Sequence, residues 1–167
     1  MKDVMGVDIS TEKISYVFKR ADGSSMWGEL ISDKRGPRGG VLKDPLSIIS
    51  QFEDYVAKER PEVIYIEGLA WIKNRESYQS IARMLGAITY ACYRNGITYK
   101  VVLGKDWKQG LLLAGNEKKP EIREWVILEG QAGKMTGNSE EPFESQDLYD
   151  AYCIVRYAIM KEESHEV

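Results

Sequence analysis

Three segments near the N-terminus, residues 3–10 (DVMGVDIS), 13–20 (KISYVFKR) and 25–32 (SMWGELIS), alternate or cluster apolar residues as strands do. Asp22-Gly23, inside the short link Ala21–Ser24, is a hairpin signal because a tight turn needs residues that tolerate left-handed backbone. Lys34 to Gly40 is a basic loop rich in glycine and proline. Asp44 and Pro45 then suit an N-cap and a first helical turn, with Leu46, Ile49, Phe52, Tyr55 and Val56 on one face until about Glu59. Residues 62–67 read as a strand buried on both faces. A long amphipathic helix follows from about Asn74 to Arg94, with Tyr78, Ile81, Ala82, Leu85, Ile88 and Cys92 along its stripe and Asn95-Gly96 closing it. Thr98 to Leu103 is the next strand, and residues 105–113 and 120–129 are helical pieces split by Ala114-Gly115-Asn116. Gln131 to Glu144 lacks periodicity and reads as a polar, mobile loop; a last helix runs from about Gln146 to Lys161, with Ser145 as its cap.

The order β-β-β-α-β-α-β-α-α predicts an α/β fold: a five-stranded mixed sheet, three antiparallel strands and then two parallel ones, flanked by helices. Helical links imply that strands one, four and five pair in parallel through right-handed crossovers. The 167 residues are expected to form a single domain. An opening Met-Lys-Asp that runs straight into a strand predicts no signal peptide, and no apolar run reaches membrane-spanning length, so a cytoplasmic setting is expected. Cys92 and Cys153 lie in helical segments without metal-ligand spacing and are expected to be buried free thiols. The net charge of −3 argues against a globally basic nucleic-acid binder, so any DNA contact needs a local basic patch.

Glu67 ends the apolar run Val-Ile-Tyr-Ile and would be costly to bury there without a cation, a hydrogen bond or water. Asp8 ends the first strand; if strands one and four are parallel neighbours, both carboxylates emerge at one carboxyl edge, where α/β proteins place ligands. Asp147 and Asp150, three residues apart, share a helical face with Ala151, Ile154 and Ala158, the face that must pack on the sheet. A lone acid is more often a solvated charge. Four that converge would repel one another unless their pKa values rise or a cation neutralises them. Oxygen ligands without histidine or thiolate favour Mg²⁺, with Mn²⁺ as a substitute, and such a cluster is what two-metal phosphodiester hydrolysis requires.

With these residues in place, the chain resembles the RuvC-type Holliday junction resolvases of the RNase H-like superfamily. Gly6–Asp8 (GVD), Ile66–Ser77 (IEGLAWIKNRES), Trp107–Gln109 (WKQ), Glu117–Pro120 (EKKP) and Gln146–Ala151 (QDLYDA) carry the resemblance, in order along nearly the whole chain. It implies an RNase H-like fold and a metal-dependent homodimer that resolves four-way DNA junctions by paired symmetrical nicks. Asp8, Glu67, Asp147 and Asp150 match the family's catalytic metal ligands, and Lys108 and Lys119 its basic residues near the scissile phosphate. Trp71 stands near the position of an aromatic wedge for the junction centre. Lys73, Arg75, Arg83 and Lys118 are further candidates for DNA contact, whereas Lys34, Arg35 and Arg38 fit a solvated loop equally well. Tyr78, Trp107 and Trp125 read as core, and the stripe through Leu85-Gly86 as a dimer interface. The first motif, DISTEK, lacks the glycine that often follows the family's first aspartate, and the only histidine, His165, lies in an acidic tail. Both features resemble divergent members such as those some phages encode.

Three rivals stand beside that reading. One is a broader debranching endonuclease for forks and flaps, and another a branched-DNA-binding module that does not cleave. The third is a sugar-kinase-like phosphotransferase, from GVDIST at a strand-to-hairpin junction; the chain is short for its two lobes, and the paired helical aspartates would go unexplained.

Overall fold

A computed structural model describes residues 2–32, 44–69, 75–111, 113, 115, 118–138 and 140–164. Strands β1 (Val4–Ile9), β2 (Lys13–Lys19) and β3 (Ser25–Ile31) precede helix α1 (Pro45–Glu59), strand β4 (Val63–Glu67) and helix α2 (Arg75–Arg94). Strand β5 (Thr98–Val102) follows, then helices α3 (Gly104–Gly110), α4 (Lys119–Glu129), α5 (Gln131–Thr136) and α6 (Gln146–Ser164). The sheet order is β3-β2-β1-β4-β5; β1 pairs antiparallel with β2 and parallel with β4, which pairs parallel with β5. The expected mixed sheet is therefore present, and strands one and four are neighbours.

Strand alternation divides the core. Val4, Val17, Val63 and Tyr65 join Trp107, Ile122, Val126 and the inward face of α6 on one side of the sheet. Met5, Val7, Ile64 and Ile66 pack against Ile48, Phe52, Val56, Met84 and Ile88 of α1 and α2 on the other. Each large apolar side chain so buried contributes about 1.5–3 kcal/mol. Asp8 shares the α6 side with Val4 and Gly6, because strand residues two apart face the same way.

Several local expectations need correction. On α1 the buried stripe is Ile48, Phe52 and Val56, with Ile49 half-buried and Leu46 77% exposed, because steps of four residues track one helical face. On α2 the buried residues are Met84, Ile88, Ala91 and Cys92; none from Arg75 to Arg83 is buried, and Tyr78 is exposed. The segment from Gln131 is not a featureless loop. Gly130 (φ 69°) and Gly137 (φ 77°) bracket helix α5, which buries Ala132 and Gly133, and Phe143 packs edge-on to Trp27 and Tyr149. Trp107 is buried, as expected, whereas Trp125 packs half-buried at the core's margin. Both cysteines are buried and free. The basic loop from Lys34 to Gly40, Asn74 and His165 lie outside the described residues. Among the described residues, no helix is long and apolar enough to cross a membrane.

Candidate active site

Gly6 sets the distance between β1 and α6. A Cβ there would lie 2.5 Å from the Ala151 carbonyl oxygen and 2.6 Å from the Val155 nitrogen, so only glycine lets the helix backbone approach this closely. The approach brings the first turns of α6 over the end of β1, and carboxylate oxygens of Asp8, Asp147 and Asp150 lie within 4.8 Å of one another. Glu67, at the end of β4, stands outside that group, yet its charge acts on Asp8. Its Oε1 occupies space that a side chain at residue 104 would fill: a Cβ on Gly104 would be 2.7 Å away.

The acids perturb one another. Burial, then the charges of Glu67, Asp150 and Asp147, push the Asp8 carboxyl well above the usual range. Burial and the Asp150 charge push Glu67 up to about 7, against the opposing effects of Lys108, Trp107 and Lys119. Burial raises Asp150 to about 6, with Asp147 adding to the rise and Lys119 and Lys108 opposing it. Asp147 differs: burial acts on it too, but its bonds to Lys119 and Lys13 outweigh that and hold it below the usual value. The Trp107 indole nitrogen is buried and, among the described residues, makes no hydrogen bond of ordinary geometry, yet it lies close enough to Glu67 for its N–H to favour the charged form. Protonation would relieve this repulsion, and so would a cation. An all-oxygen donor set with three strained carboxyls fits a hard divalent ion, held by Asp8, Asp147 and Asp150 with Glu67 beside them.

Two lysines named from the sequence reach the cluster. Lys119 opens α4 and donates to Asp147 Oδ1 at 2.5 Å. Lys108, on α3, has its Nζ 5.3 Å from the Trp107 ring centre, and its charge acts on Glu67 and Asp150. Arg75, Arg83 and Lys118 are exposed, and among the described residues no ion pair joins them to the acids. Trp71 and Lys73 lie outside the described residues.

Sequence reasoning passed over Lys13 and Glu29. Lys13 Nζ lies 3.1 Å from Asp147 Oδ2 and 2.6 Å from Glu29 Oε1, and Glu29 also accepts hydrogen bonds from Ser15 (3.1 Å) and from the Ser145 hydroxyl. The signal was present. The Asp22-Gly23 turn pairs Lys19 with Ser25, so counting back sets Ser15 opposite Glu29, and β1 adds Asp8 opposite Ser15.

No family model matches the chain, and no curated protein matches it. Solved structures do. Thermus thermophilus RuvC in complex with a Holliday junction substrate superposes with a TM-score of 0.73 at 16% identity, over 99% of this chain and 97% of that one. The yeast mitochondrial Holliday junction resolvase Ydc2 gives 0.61 at 14% identity, over 97% and 81%. The fowlpox virus resolvase bound to Holliday junction DNA gives 0.55 at 9%, over 96% and 98%. From end to end, the chain has the RNase H-like fold of the Holliday junction resolvases.

Proposed function

We propose that this protein is a metal-dependent, structure-selective endonuclease that resolves four-way DNA junctions by paired nicks, its residues 1–167 acting as one nuclease domain in the cytoplasm. One observation carries the reading: in a resolvase fold, Asp8, Asp147 and Asp150 converge within 4.8 Å at the carboxyl edge of β1.

Asp8, Glu67, Asp147 and Asp150 would hold Mg²⁺, or Mn²⁺ in its place. Such ions supply a water of lowered pKa and charge stabilisation for the leaving oxygen. The residues of the chain do the rest. Burial keeps the carboxylates short of water and hungry for a cation. Lys119 and Lys108 bring positive charge to where a scissile phosphate would lie, and the backbone N–H groups at the start of α4 add to it. Arg75, Arg83 and Lys118 serve as outlying phosphate contacts, Lys73 is assigned with them on its charge beside Glu67, and Trp71 is assigned to the junction centre on resemblance alone. Cleavage is expected to leave 5′-phosphate and 3′-hydroxyl ends. Two copies would place two such sites on one junction, and the exposed face of α2 around Gly86, where a Cβ would meet nothing within 4 Å, offers room for close helix approach.

The test is incubation of end-labelled four-way junction, fork, flap and linear duplex DNA with the protein in Mg²⁺ or Mn²⁺, beside Glu67→Gln and Asp8→Asn. Symmetrical cuts confined to the junction and absent from both variants are expected. Carboxylate-dependent cutting of forks and flaps as well would widen the assignment to a debranching nuclease. Intact DNA throughout would refute it.

A further inference from the structure

We propose that Lys13 and Glu29 form a positioning pair that fixes the Asp147 carboxylate, while Lys119 is a place-holding cation that leaves Asp147 when a divalent ion enters. The inference rests on the metal-dependent reading above. It gives the two lysines on one carboxylate opposite roles.

Both oxygens of Asp147 are engaged, Oδ2 by Lys13 at 3.1 Å and Oδ1 by Lys119 at 2.5 Å. A divalent ion shared with Asp8 and Asp150 needs an Asp147 oxygen, and an ammonium held on that same oxygen would repel it at short range, which favours release of one lysine. Lys13 is held in place. Its Nζ donates to Glu29 at 2.6 Å, and Glu29 also accepts from Ser15 and Ser145, so the network ties β2 and β3 to the start of α6. The Lys13 and Glu29 side chains are only 22% and 27% exposed. Lys119 differs on both counts: its side chain is 60% exposed, and among the described residues Asp147 is its only ion-pair partner. An exposed pair is cheap to break, whereas extracting Lys13 would leave Glu29 partly buried without its cation. Once off Asp147, the Lys119 ammonium is available to a phosphate at the same edge.

Charge counting alone makes a different forecast. Deleting either lysine removes a positive charge near the site and should tighten cation binding. Positioning reverses the sign for Lys13.

Titrating Mn²⁺ into the full chain by calorimetry reads that sign directly, without cleavage, with circular dichroism to establish that each variant is folded. Lys119→Met should bind the ion about two- to fivefold more tightly than wild type. Lys13→Met should bind it about tenfold more weakly. Glu29→Gln should also weaken binding, and the double variant should be no weaker than Lys13→Met, because the two residues act through one bond. Should Lys13→Met fail to fold, Lys13→Gln, too short to span Glu29 and Asp147, carries the same sign test. A folded Lys13 variant that binds as tightly as wild type, or more tightly, overturns the positioning role. A Lys119→Met protein that binds more weakly overturns the place-holder. If wild type itself binds no Mn²⁺, the metal-dependent reading falls and this inference with it, an outcome distinct from binding with the wrong sign.

Discussion

Replacing Gly6 with alanine should force α6 off β1 and spread the carboxylate cluster. The added Cβ would sit 2.5 Å from the Ala151 oxygen and 2.6 Å from the Val155 nitrogen, both backbone atoms that no rotamer change can move aside. Real Cβ contacts essentially never fall under 3.0 Å and become ordinary near 3.4 Å, so the helix must retreat by about 0.5–0.9 Å. A shift of that kind in a packed core costs about 1–3 kcal/mol. Asp147 lies one turn before Ala151 on the helix that moves, whereas Asp8 lies two residues from Gly6 on the strand that stays. The cluster therefore opens by a comparable distance. A misplacement near 1 Å can cost about 10²-fold in rate. Urea unfolding gives the stability loss, and cleavage of a labelled junction in saturating Mg²⁺ gives the rate. A Gly6→Ala protein with wild-type stability and wild-type cutting would refute the claim that this glycine sets the helix-to-strand distance.

Gly104→Ala should leave stability nearly unchanged yet reduce cleavage about tenfold. The new Cβ would lie 2.7 Å from Glu67 Oε1, the movable end of a side chain, so Glu67 swings away while the backbone stays; thermal melting and cleavage rates separate the two effects. Divalent-ion binding, followed by calorimetry, should strengthen as pH rises through about 6 to 7, the values to which Asp150 and Glu67 are raised. In the ion-free protein these raised carboxyls hold protons that an unfolded chain has lost. That protein should therefore gain stability as pH falls through the same window, the reverse of the usual acid trend. Glu162 shows the usual trend. Burial opposes its charge, but Lys100 (2.6 Å), Lys2 (2.8 Å) and the Tyr65 hydroxyl (2.9 Å) hold it down to about 2. Its contribution is complete above its unfolded value near 4.5 and is lost as pH falls toward 2. Glu162→Gln should thus cost about 2 kcal/mol at pH 7 and far less near pH 2, read as urea midpoints across that range.

The strands, their order and the meeting of acids at one sheet edge were legible in the sequence. Period-two alternation, one hairpin turn and the handedness of helical crossovers leave few ways to arrange five strands. Once β1 and β4 are parallel neighbours, Asp8 and Glu67 must end at the same edge. The spacing of Asp147 and Asp150 fixed their shared face for the same reason: it is a property of the helix alone. What depends on how elements meet was not legible. The buried face of α1 is set by Ile48 rather than Ile49, and that of α2 by its C-terminal half, because packing against the sheet selects among neighbouring helical stripes. Helix α5 hides in a polar segment because Ala132 and Gly133 bury little apolar area and leave almost no periodic signal. The register that sets Lys13 near Glu29 could be counted from the Asp22-Gly23 turn, but the meeting of Asp147 with Lys119, 28 positions away, and with Lys13, more than a hundred away, could not. Sequence period decides where a side chain points within its own element. Only the close approach of α6 to β1 across Gly6 decides which charges meet, and therefore which carboxyl is held charged and which are driven toward protonation or a cation.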